Sequence, residues 1–257
     1  MILCIDTGNT HIYGGLYLND KLELQFRYPS SSPFTSDQFG VFLKMFLREN
    51  ELSAQAVRKV AICSVVPSLN YTIRSAFLKY FFIDPTFLQV DHAKELIIQY
   101  KNPQEIGADR ISNALAAIHH APNKNIIIID LGTATTFDIV TADKKYMGGV
   151  IFPGMGISMR ALSENTAKLS AVTIVRPEHI LGQSTVTNIQ AGLYYSHLGA
   201  IREITSRITK AIFNGEVPVI IGTGGFANLF EKEQIFTVII PELVLQGLYI
   251  LAKKVTR

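Results

Sequence analysis

Two stretches of the chain share one pattern of apolar and polar positions. In each, a short run of apolar residues, Ile2 to Ile5 and Ile126 to Ile129, ends in Asp-x-Gly followed by small hydroxyl or amide residues. Short, uninterrupted apolar runs that close on glycine turns are typical of strands buried on both faces. The pattern therefore predicts two buried strands, with Asp6 and Asp130 at their ends.

An alternating pattern typical of a β-hairpin follows each of these aspartates. The predicted hairpin strands are His11 to Leu18 with Leu22 to Tyr28, and Thr135 to Val140 with Met147 to Phe152. Their turns fall at Asn19-Asp20 and at Ala142-Asp143. Because strand, glycine turn and hairpin recur in the same order at similar spacing, the sequence predicts an internal duplication about half the chain apart.

Helices and further strands alternate between and after these repeats. Helices are predicted at 36–47, capped by Ser36 or Asp37, and at 67–82, 107–120, 156–164, 186–213 and 241–253, with one more opened by Gly222 to Gly225. Strands are predicted at 58–66, 86–90, 218–221 and 237–240. A β-meander followed by alternating helix and strand implies an α/β fold with crossover connections.

Composition narrows the class of protein. The 257 residues are 48% hydrophobic and 18% charged, with no low-complexity tract, as in a globular protein of one large or two modest domains. The net charge of +3 is small and Lys and Arg do not cluster beyond pairs, so no nucleic-acid partner is expected. No apolar run approaches the roughly 20 residues that span a bilayer, so no membrane partner is expected either.

The cysteines and the first residues indicate the compartment. Cys4 and Cys63 lie in apolar, strand-like runs without a Cys-x-x-Cys partner, which favours buried reduced thiols in a cytoplasmic protein. The first residues lack a basic segment and include Asp6, so they do not resemble a signal peptide. We therefore expect a cytoplasmic protein.

The paired Asp-x-Gly turns suggest phosphate chemistry. A glycine turn at a strand end exposes successive backbone N–H groups, which can hold phosphate oxygens together with nearby Thr and Asn side chains. Two such turns facing each other can grip a polyphosphate, while Asp6 and Asp130 hold a Mg²⁺ ion that keeps several waters. The alternative for each turn is an ordinary β-turn in which Asp bonds to its own backbone, but the matching context favours a phosphoryl-transfer cleft.

A second candidate site lies at the predicted helix start Gly107 to Arg110. A carboxylate in the first helical turn is favoured by the helix dipole, which keeps Asp109 ionised and able to accept a hydroxyl proton. The reaction does not need a strong base, because phosphoryl transfer depends first on positioning, so an ordinary pKa suffices. Arg110 offers a planar fork to a carboxylate or a phosphate, and Tyr100 with Asn102-Pro103 forms a rigid approach upstream. Helix capping with a surface ion pair is an equally open interpretation.

Three other motifs are weaker. Gly222-x-Gly224-x-x-Ala227 imitates a dinucleotide fingerprint, but too few residues follow it, so it is either a turn against which an adenosine lies or a helix-capping turn. No P-loop motif and no paired histidine spacing occur, so neither a P-loop enzyme nor a zinc site is expected. Ser184 and Thr185 are as consistent with an ordinary N-cap of the long helix that follows as with a functional role.

Taken in order, these motifs closely resemble the type III pantothenate kinase family, in the superfamily of acetate and sugar kinases, heat-shock cognate proteins and actin. The resemblance rests on segments Asp6 to Thr10, Ser64 to Pro67, Tyr100 to Pro103, Glu105 to Arg110, Asp130 to Thr135, Gly148 to Gly154 and Gly222 to Gly225. The first segment is typical of the whole superfamily, whereas Glu105 to Arg110 is much more specific. The match spans nearly the whole chain.

The resemblance implies a fold, a reaction and an assembly. The fold is α/β with duplicated ribonuclease H-like domains of the actin-like ATPase type at 1–118 and 119–257, each a mixed five-stranded sheet flanked by helices. The reaction is ATP-dependent phosphorylation of pantothenate to its 4'-phosphate, the first step of coenzyme A biosynthesis. The protein is expected to be a homodimer that uses ATP, Mg²⁺ and a monovalent cation, K⁺ or NH₄⁺.

The resemblance also implies roles for single residues. Asp109 is the catalytic base, and pantothenate is bound by Tyr100, Gly107, Ala108, Asp109, Arg110 and, across the dimer, Thr185. ATP is bound by Asp6, Thr7, Gly8, Asn9, Thr10, His11, Ile12, Tyr13 and Thr133. Asp130 becomes the monovalent-cation ligand, which leaves Asp6 near Mg²⁺. Ser184 stands where the family pattern has an amide, and Thr7 is a less usual residue in the first turn.

A protein of another class is the competing hypothesis. The same fold could serve a non-enzymatic ATP-binding regulator or a chaperone-like ATPase, which binds nucleotide without transferring phosphate to a small alcohol. A separate nucleic-acid or peptide-binding module would favour that alternative, and the sequence offers no room for one. The kinase is therefore the function that we expect.

Overall fold

A computed structural model describes residues 1–254, which form two compact units. Among the described residues, the first unit comprises residues 1–96, 101–116 and 243–254, and the second comprises residues 97–100 and 117–242. The duplicated domains predicted at 1–118 and 119–257 stay a prediction. The packing adds that the closing helix of the chain belongs with the first unit.

The regular elements within residues 1–254 are strands, α-helices and short 3₁₀-helices. The strands are β1 (Ile2–Thr7), β2 (His11–Leu18), β3 (Lys21–Pro29), β4 (Lys59–Ser64), β5 (Thr86–Phe87), β6 (Ile97–Ile98), β7 (Ile126–Leu131), β8 (Ala134–Val140), β9 (Lys145–Pro153), β10 (Val219–Thr223) and β11 (Val238–Ile239). The α-helices are α1 (Ser36–Glu49), α2 (Pro67–Phe81), α3 (Ala108–His120), α4 (Met155–Glu164), α5 (Thr185–Ile212) and α6 (Leu243–Lys254). The 3₁₀-helices are Ala54–Ala56, Val90–His92, Pro103–Glu105 and Ala227–Glu233. None of these helices is both long and apolar enough to cross a membrane.

Each unit contains one mixed sheet, and the two sheets share a topology. The first has the order β3-β2-β1-β4-β5 and the second the order β11-β10-β7-β8-β9-β6. β1 pairs antiparallel with β2 and parallel with β4, just as β7 pairs antiparallel with β8 and parallel with β10. This matching order confirms the predicted duplication. The expectation of five strands in each sheet is wrong for the second sheet, because the two-residue strand β6 pairs with the open edge of β9.

The two hairpins also share a local irregularity. The first turns at Asn19 and Asp20, whose φ angles of 49° and 67° match the positive φ that tight hairpin turns require. The register of β2 against β3 shifts between Leu16 and Tyr17, and that of β8 against β9 shifts between Ile139 and Val140. Both hairpins therefore carry a β-bulge near the turn, which increases the local twist of each strand pair.

Helices bury the faces of the first sheet. Apolar residues of α1 and α2, among them Phe39, Leu43 and Phe77, form one buried cluster with β1 and β4. α6 is held by Lys59, whose Nζ donates a hydrogen bond to the Ala252 carbonyl at 2.9 Å. It also approaches α3 so closely that a Cβ on Gly247 would lie 1.9 Å from the Ser112 carbonyl oxygen. Glycine at this position is therefore required by the helix–helix contact.

The second unit packs α4 and α5 against its sheet. Met155 and Met159 of α4 and Ile189 of α5 share a buried cluster with Ile129 and Phe137 of the strands. The cluster continues to the 3₁₀-helix Ala227–Glu233, where the Phe230 ring stacks on Tyr194 with centroids 4.8 Å apart. The strand ends that carry Asp130 and Thr223 are thus fixed by packing on the same sheet.

Several predicted boundaries and one element type differ in the structure. Thr35, not Ser36 or Asp37, is the N-cap of α1, because it forms a reciprocal capping box with Gln38. The strand predicted at 86–90 shortens to β5, and the helix predicted from 241 begins at Leu243. The helix predicted after β10 is a 3₁₀-helix, which suits a short connection of seven residues.

Candidate active site

The first Asp-x-Gly turn joins β1 to β2 and is fixed by its own backbone. The Gly8 N–H donates to the His11 carbonyl at 3.1 Å, and Ser30 donates through Oγ to the Gly8 carbonyl at 2.6 Å and through N–H to the Thr10 carbonyl at 3.2 Å. Asn9 and His11 are exposed at its tip. A preformed turn of this kind can hold phosphate oxygens without being reordered.

The residues predicted to bind ATP on this turn differ in accessibility. Asp6, Gly8 and Thr10 are half-buried, between the exposed tip and the core. Thr7, Ile12 and Tyr13 are buried, so their side chains belong to the core rather than to the exposed surface of the turn. The turn from Gly8 to His11 is therefore the part that can meet a ligand through side chains.

Asp6 lies at the end of β1, directly across from Cys63 of β4. The Cys63 thiol donates a hydrogen bond to Asp6 Oδ1 at 3.1 Å. Burial and the negative charge of Asp109 raise the pKa of Asp6 to about 7, while the Cys63 hydrogen bond and the charge of Arg27 act in the opposite direction. A carboxyl group with this pKa changes its charge near neutral pH.

Asp109 lies in the first turn of α3. It accepts a hydrogen bond from the Arg110 backbone N–H at 2.8 Å. Burial raises the pKa of Asp109, and the Arg110 N–H and guanidinium offset part of this effect. Desolvation thus outweighs the favourable charge at the helix start. A more basic carboxylate is a better proton acceptor.

Gly107 gives the Asp109 carboxylate its space. A Cβ on Gly107 would lie 2.4 Å from Asp109 Oδ1. Arg110 is 7% exposed, so its guanidinium group is held inside the first unit rather than in a surface ion pair. Asp6, Cys63 and Asp109 interact electrostatically in the same unit, which makes this cluster the candidate active centre.

We predict that the free energy of unfolding of the ligand-free protein depends on pH because the pKa of Asp6 is raised. Because this pKa of about 7 exceeds the ordinary value of 3.8, the folded state binds more protons than the unfolded state between these values. The corresponding stability is present below pH 4 and is lost as pH rises through 7. Asp6→Asn should therefore match the wild type at pH 4 and become the more stable protein by pH 8, as measured by urea unfolding.

Asp37→Asn provides a control of opposite sign. The exposed Asp37 carboxylate accepts hydrogen bonds from Lys79 and Tyr80, which lower its pKa. The wild type should then keep its small advantage over Asp37→Asn near neutral pH and lose it as the solution becomes more acidic. A stability difference between Asp6→Asn and the wild type that stays constant from pH 4 to 8 would contradict the raised pKa of Asp6.

The second Asp-x-Gly turn repeats the plan of the first inside the second unit. The Gly132 N–H donates to the Ala134 carbonyl at 3.1 Å. The Leu131 carbonyl accepts from the Phe226 N–H at 3.1 Å, just as the Thr7 carbonyl accepts from Val65 N–H at 3.1 Å. Each turn is thus tied to the segment that follows the neighbouring parallel strand.

Asp130 lies in a cradle formed by two glycines. A Cβ on Gly132 would lie 3.2 Å from Asp130 Oδ1, and a Cβ on Gly224 would lie 2.3 Å from the same atom. Gly224 has a φ of 86°, which favours glycine. Thr133 is exposed on the same turn. The glycines thus leave room around the Asp130 carboxylate, and the Gly222 to Gly225 segment borders it.

The two remaining predicted substrate residues also lie in the second unit. Tyr100 is half-buried and its ring packs beside Tyr146, with centroids 6.4 Å apart. Ser184 is the N-cap of α5, and its Oγ accepts from the Thr187 N–H at 3.2 Å. Thr185 is the first residue of α5, is exposed and borders a cavity of about 810 Å³ between α4 and α5.

Three residues near the turns were not predicted as site residues. Cys63 and Arg27 oppose the rise in the pKa of Asp6, and Ser30 donates a hydrogen bond to the Gly8 carbonyl in the first turn. Cys63 precedes Ser64 to Pro67, one of the segments that carry the family resemblance, so its neighbourhood was signalled in the sequence. The contacts themselves depend on strand pairing and could not be read from spacing.

The described residues do not form a preassembled metal cluster. Within residues 1–254, no group of three or more His, Cys, Asp or Glu side chains could hold a metal ion together. Mg²⁺ commonly binds through one or two carboxylates together with waters and substrate phosphates. The half-buried Asp6 carboxylate beside a phosphate-sized turn fits that mode of binding.

Sequence comparisons with known proteins point to one family. The family model for type III pantothenate kinase matches residues 2–207. A type III pantothenate kinase of Legionella pneumophila (strain Corby) is 52% identical over 98% of each chain, and type III pantothenate kinase 1 of Francisella tularensis subsp. holarctica (strain OSU18) is 47% identical over the same share.

A structural comparison supports the fold. A solved Sinorhizobium meliloti protein, described as a candidate 2-dehydro-3-deoxygalactonokinase, has a TM-score of 0.61 at 12% identity over 98% of each chain. At this identity the likeness concerns the fold alone. Together with the two mixed sheets flanked by helices, it confirms the predicted α/β fold class.

Proposed function

Because the chain belongs to the type III pantothenate kinase family, we propose that the residues around Asp6, Asp109 and Asp130 perform the reaction of that family. The protein phosphorylates pantothenate with ATP, in coenzyme A biosynthesis. The observation that supports the residue assignment best is the electrostatic interaction of Asp6 with Asp109, both half-buried in the first unit. A phosphate-sized turn and a proton acceptor therefore occur in the same unit.

Asp109 acts as the general base. Its carboxylate accepts the hydroxyl proton of pantothenate as the hydroxyl oxygen attacks the γ-phosphorus of ATP and the bond to the β–γ bridging oxygen breaks, which releases ADP. Phosphoryl transfer depends mainly on positioning and charge stabilisation. The raised pKa of Asp109 supports this role, because it makes the carboxylate more basic than an exposed one.

The start of α3 supplies the pantothenate site. Gly107 and Ala108 bring the backbone close to the substrate, and Arg110 offers a bidentate partner for the pantothenate carboxylate. Tyr100 contributes a half-buried aromatic face. Together these groups orient the alcohol toward Asp109.

The family resemblance assigns the binding of the ATP phosphates to residues 6–13 and to Thr133, mainly through backbone N–H groups. Asp6 would hold Mg²⁺, which would supply neutralisation of phosphate charge. The partial exposure of Asp6 and the exposed residues Asn9 and His11 support this assignment.

Asp130 is the proposed ligand of a monovalent cation, K⁺ or NH₄⁺. Its carboxylate lies against Gly132 and Gly224, where any side chain would fill the space. A bound cation would supply positive charge beside the ATP phosphates. We expect replacement of K⁺ by Na⁺ at constant ionic strength to lower kcat, because both ions that the family resemblance implies, K⁺ and NH₄⁺, are larger than Na⁺.

Asp130→Asn separates this role from a general salt effect. The variant should have a low rate in both salts and no preference between them, as measured by ADP release at saturating substrates. Equal wild-type rates in K⁺ and Na⁺ would remove Asp130 from the cation site.

We also propose a homodimer in which Thr185 reaches the partner's substrate. Ile180, Leu181 and Val186 near the start of α5 are exposed by 62%, 80% and 49%. A concentration of exposed apolar side chains is typical of an interaction surface. Light scattering at micromolar concentration should give twice the monomer mass of 28.5 kDa. A monomer under these conditions would contradict the assignment of Thr185.

The residue roles can be tested with one assay format. ADP release should require pantothenate, and Arg110→Lys should raise the KM for pantothenate, because Lys cannot form the bidentate contact. An unchanged KM for pantothenate in Arg110→Lys would remove Arg110 from carboxylate binding.

The free, buried thiols of Cys4 and Cys63 support a cytoplasmic location for the reaction.

A further inference from the structure

The segment before Tyr100 is tied to β9 through its backbone. The Ile97 N–H donates to the Lys144 carbonyl at 2.9 Å, and the Gln99 N–H donates to the Tyr146 carbonyl at 2.9 Å. These bonds extend the parallel pairing of β6 with β9 up to the residue before Tyr100. The position of Tyr100 is therefore set by the part of β9 around Tyr146.

Gly148 provides the surface against which the Tyr100 ring rests. A Cβ on Gly148 would lie 3.2 Å from Tyr100 Cε2 and 3.3 Å from Tyr100 Cδ2, closer than ordinary van der Waals contact. The φ of Gly148 is 101°, a conformation that residues with a side chain rarely adopt. Any other residue here would both strain the strand and displace the ring.

The duplicated hairpin shows that the bulge alone does not require this glycine. In the first hairpin, Leu16 and Tyr17 pair with Leu24 and Leu22, and in the second, Ile139 and Val140 pair with Gly148 and Tyr146. Leu24 thus occupies the bulge position of Gly148, and its φ is not positive. A register shift at this position can thus be built with leucine and without a positive φ. Gly148 differs in its φ of 101° and in its contact with Tyr100, and both require glycine.

Tyr146 is the second residue that packs against the Tyr100 ring. Its side chain is fully buried, and its hydroxyl donates a hydrogen bond of 2.5 Å to Oδ1 of Asp138, which is also fully buried. The Tyr146 and Tyr100 rings lie with centroids 6.4 Å apart at an angle of 53°. Because both ends of the Tyr146 side chain are held, the ring is a rigid neighbour for Tyr100.

We propose that Gly148 and Tyr146, with Asp138 behind Tyr146, are positioning residues that hold the Tyr100 ring for recognition of pantothenate. The inference rests on the proposed contact between Tyr100 and the substrate. Neither Gly148 nor Tyr146 needs to touch pantothenate. Their effect passes through the orientation of Tyr100, so it concerns substrate affinity rather than the chemical step.

Two single variants measure this effect. Gly148→Ala should raise the KM for pantothenate about 10- to 100-fold, because it displaces the ring. Tyr146→Phe keeps the ring but removes the hydroxyl, and it should raise the same KM about 3- to 10-fold. In both variants the KM for ATP should stay within about twofold, since Tyr100 does not contact the nucleotide. Gly199→Ala is the matched control, because its Cβ would meet no atom within 4 Å and no KM should change.

A double-variant cycle distinguishes positioning from general damage. In a Tyr100→Ala background, Gly148→Ala and Tyr146→Phe should cause little further rise in the KM for pantothenate, because the ring through which they act is gone. Equal fold-changes in both backgrounds would overturn the inference. Thermal unfolding of each variant checks that it is folded, and Tyr146→Phe serves if Gly148→Ala does not fold.

Failure of the proposed site can be told apart from failure of this inference. If Tyr100→Ala leaves the KM for pantothenate unchanged, the assignment of Tyr100 to the substrate site is wrong, and the inference fails with it. If Tyr100→Ala raises the KM while Gly148→Ala and Tyr146→Phe alone do not, the site assignment stands and the positioning role is wrong.

Discussion

Asp109→Asn is expected to lower kcat by about 10²- to 10⁴-fold, the range that a positioned general base contributes. The amide keeps the shape of the side chain but cannot take the hydroxyl proton. The KM for ATP should change by about twofold or less, since the nucleotide is assigned to other residues. Steady-state ADP release at saturating pantothenate measures both quantities.

Asp37→Asn is the matched control for this substitution. Asp37 also lies in the first turn of a helix, α1, but it is exposed and pairs with Lys79 at 2.6 Å. An exposed ion pair contributes little to stability, and Asp37 is not among the proposed site residues, so kcat should equal that of the wild type. Activity of Asp109→Asn equal to the wild type would remove Asp109 from the mechanism.

Gly224→Ala is expected to cost about 3 kcal/mol of folding free energy, through overpacking and backbone strain. The new Cβ would lie 2.3 Å from Asp130 Oδ1 and 2.6 Å from the Leu131 carbonyl carbon, with φ at 86°. The Leu131 backbone cannot yield easily, because it belongs to β7 and accepts a hydrogen bond from Phe226. Urea unfolding should show the loss, and kcat should fall with it as Asp130 is displaced.

The neighbouring glycine supplies a control one residue away. A Cβ on Gly225 would meet no atom within 4 Å, so Gly225→Ala should change stability by about 0.5 kcal/mol or less. If Gly224→Ala and Gly225→Ala had equal stability and activity, the cradle around Asp130 would be wrong.

Repetition made the fold readable from the sequence. The runs around Asp6 and Asp130, each followed by a hairpin, predicted strands that the structure extends by at most two residues at either end. Thr35 rather than Ser36 or Asp37 caps α1 through a capping box with Gln38, a local pattern that the sequence does contain. Local rules failed where tertiary contacts decide. The strand β6 exists because Ile97 and Ile98 meet an open sheet edge, which no local pattern reveals.

The sequence allowed the residues of the candidate site to be predicted, but not their pKa values or contacts. Asp109 was recognised from its motif, yet its raised pKa depends on burial that the sequence does not show. The bond from Cys63 to Asp6 likewise depends on the register between β1 and β4. Residues far apart in the chain become partners only once the sheet order is known.

The central claim is that this chain transfers the γ-phosphoryl group of ATP to the pantothenate hydroxyl rather than only binding or hydrolysing ATP. Phosphorus NMR of a mixture of ATP, pantothenate, Mg²⁺, K⁺ and the protein measures this directly. We predict that a phosphate monoester of pantothenate accumulates in equal amounts with ADP and that little inorganic phosphate forms. Bound ATP that stays intact, or ATP that yields only ADP and inorganic phosphate, would contradict the claim and favour an ATP-binding regulator.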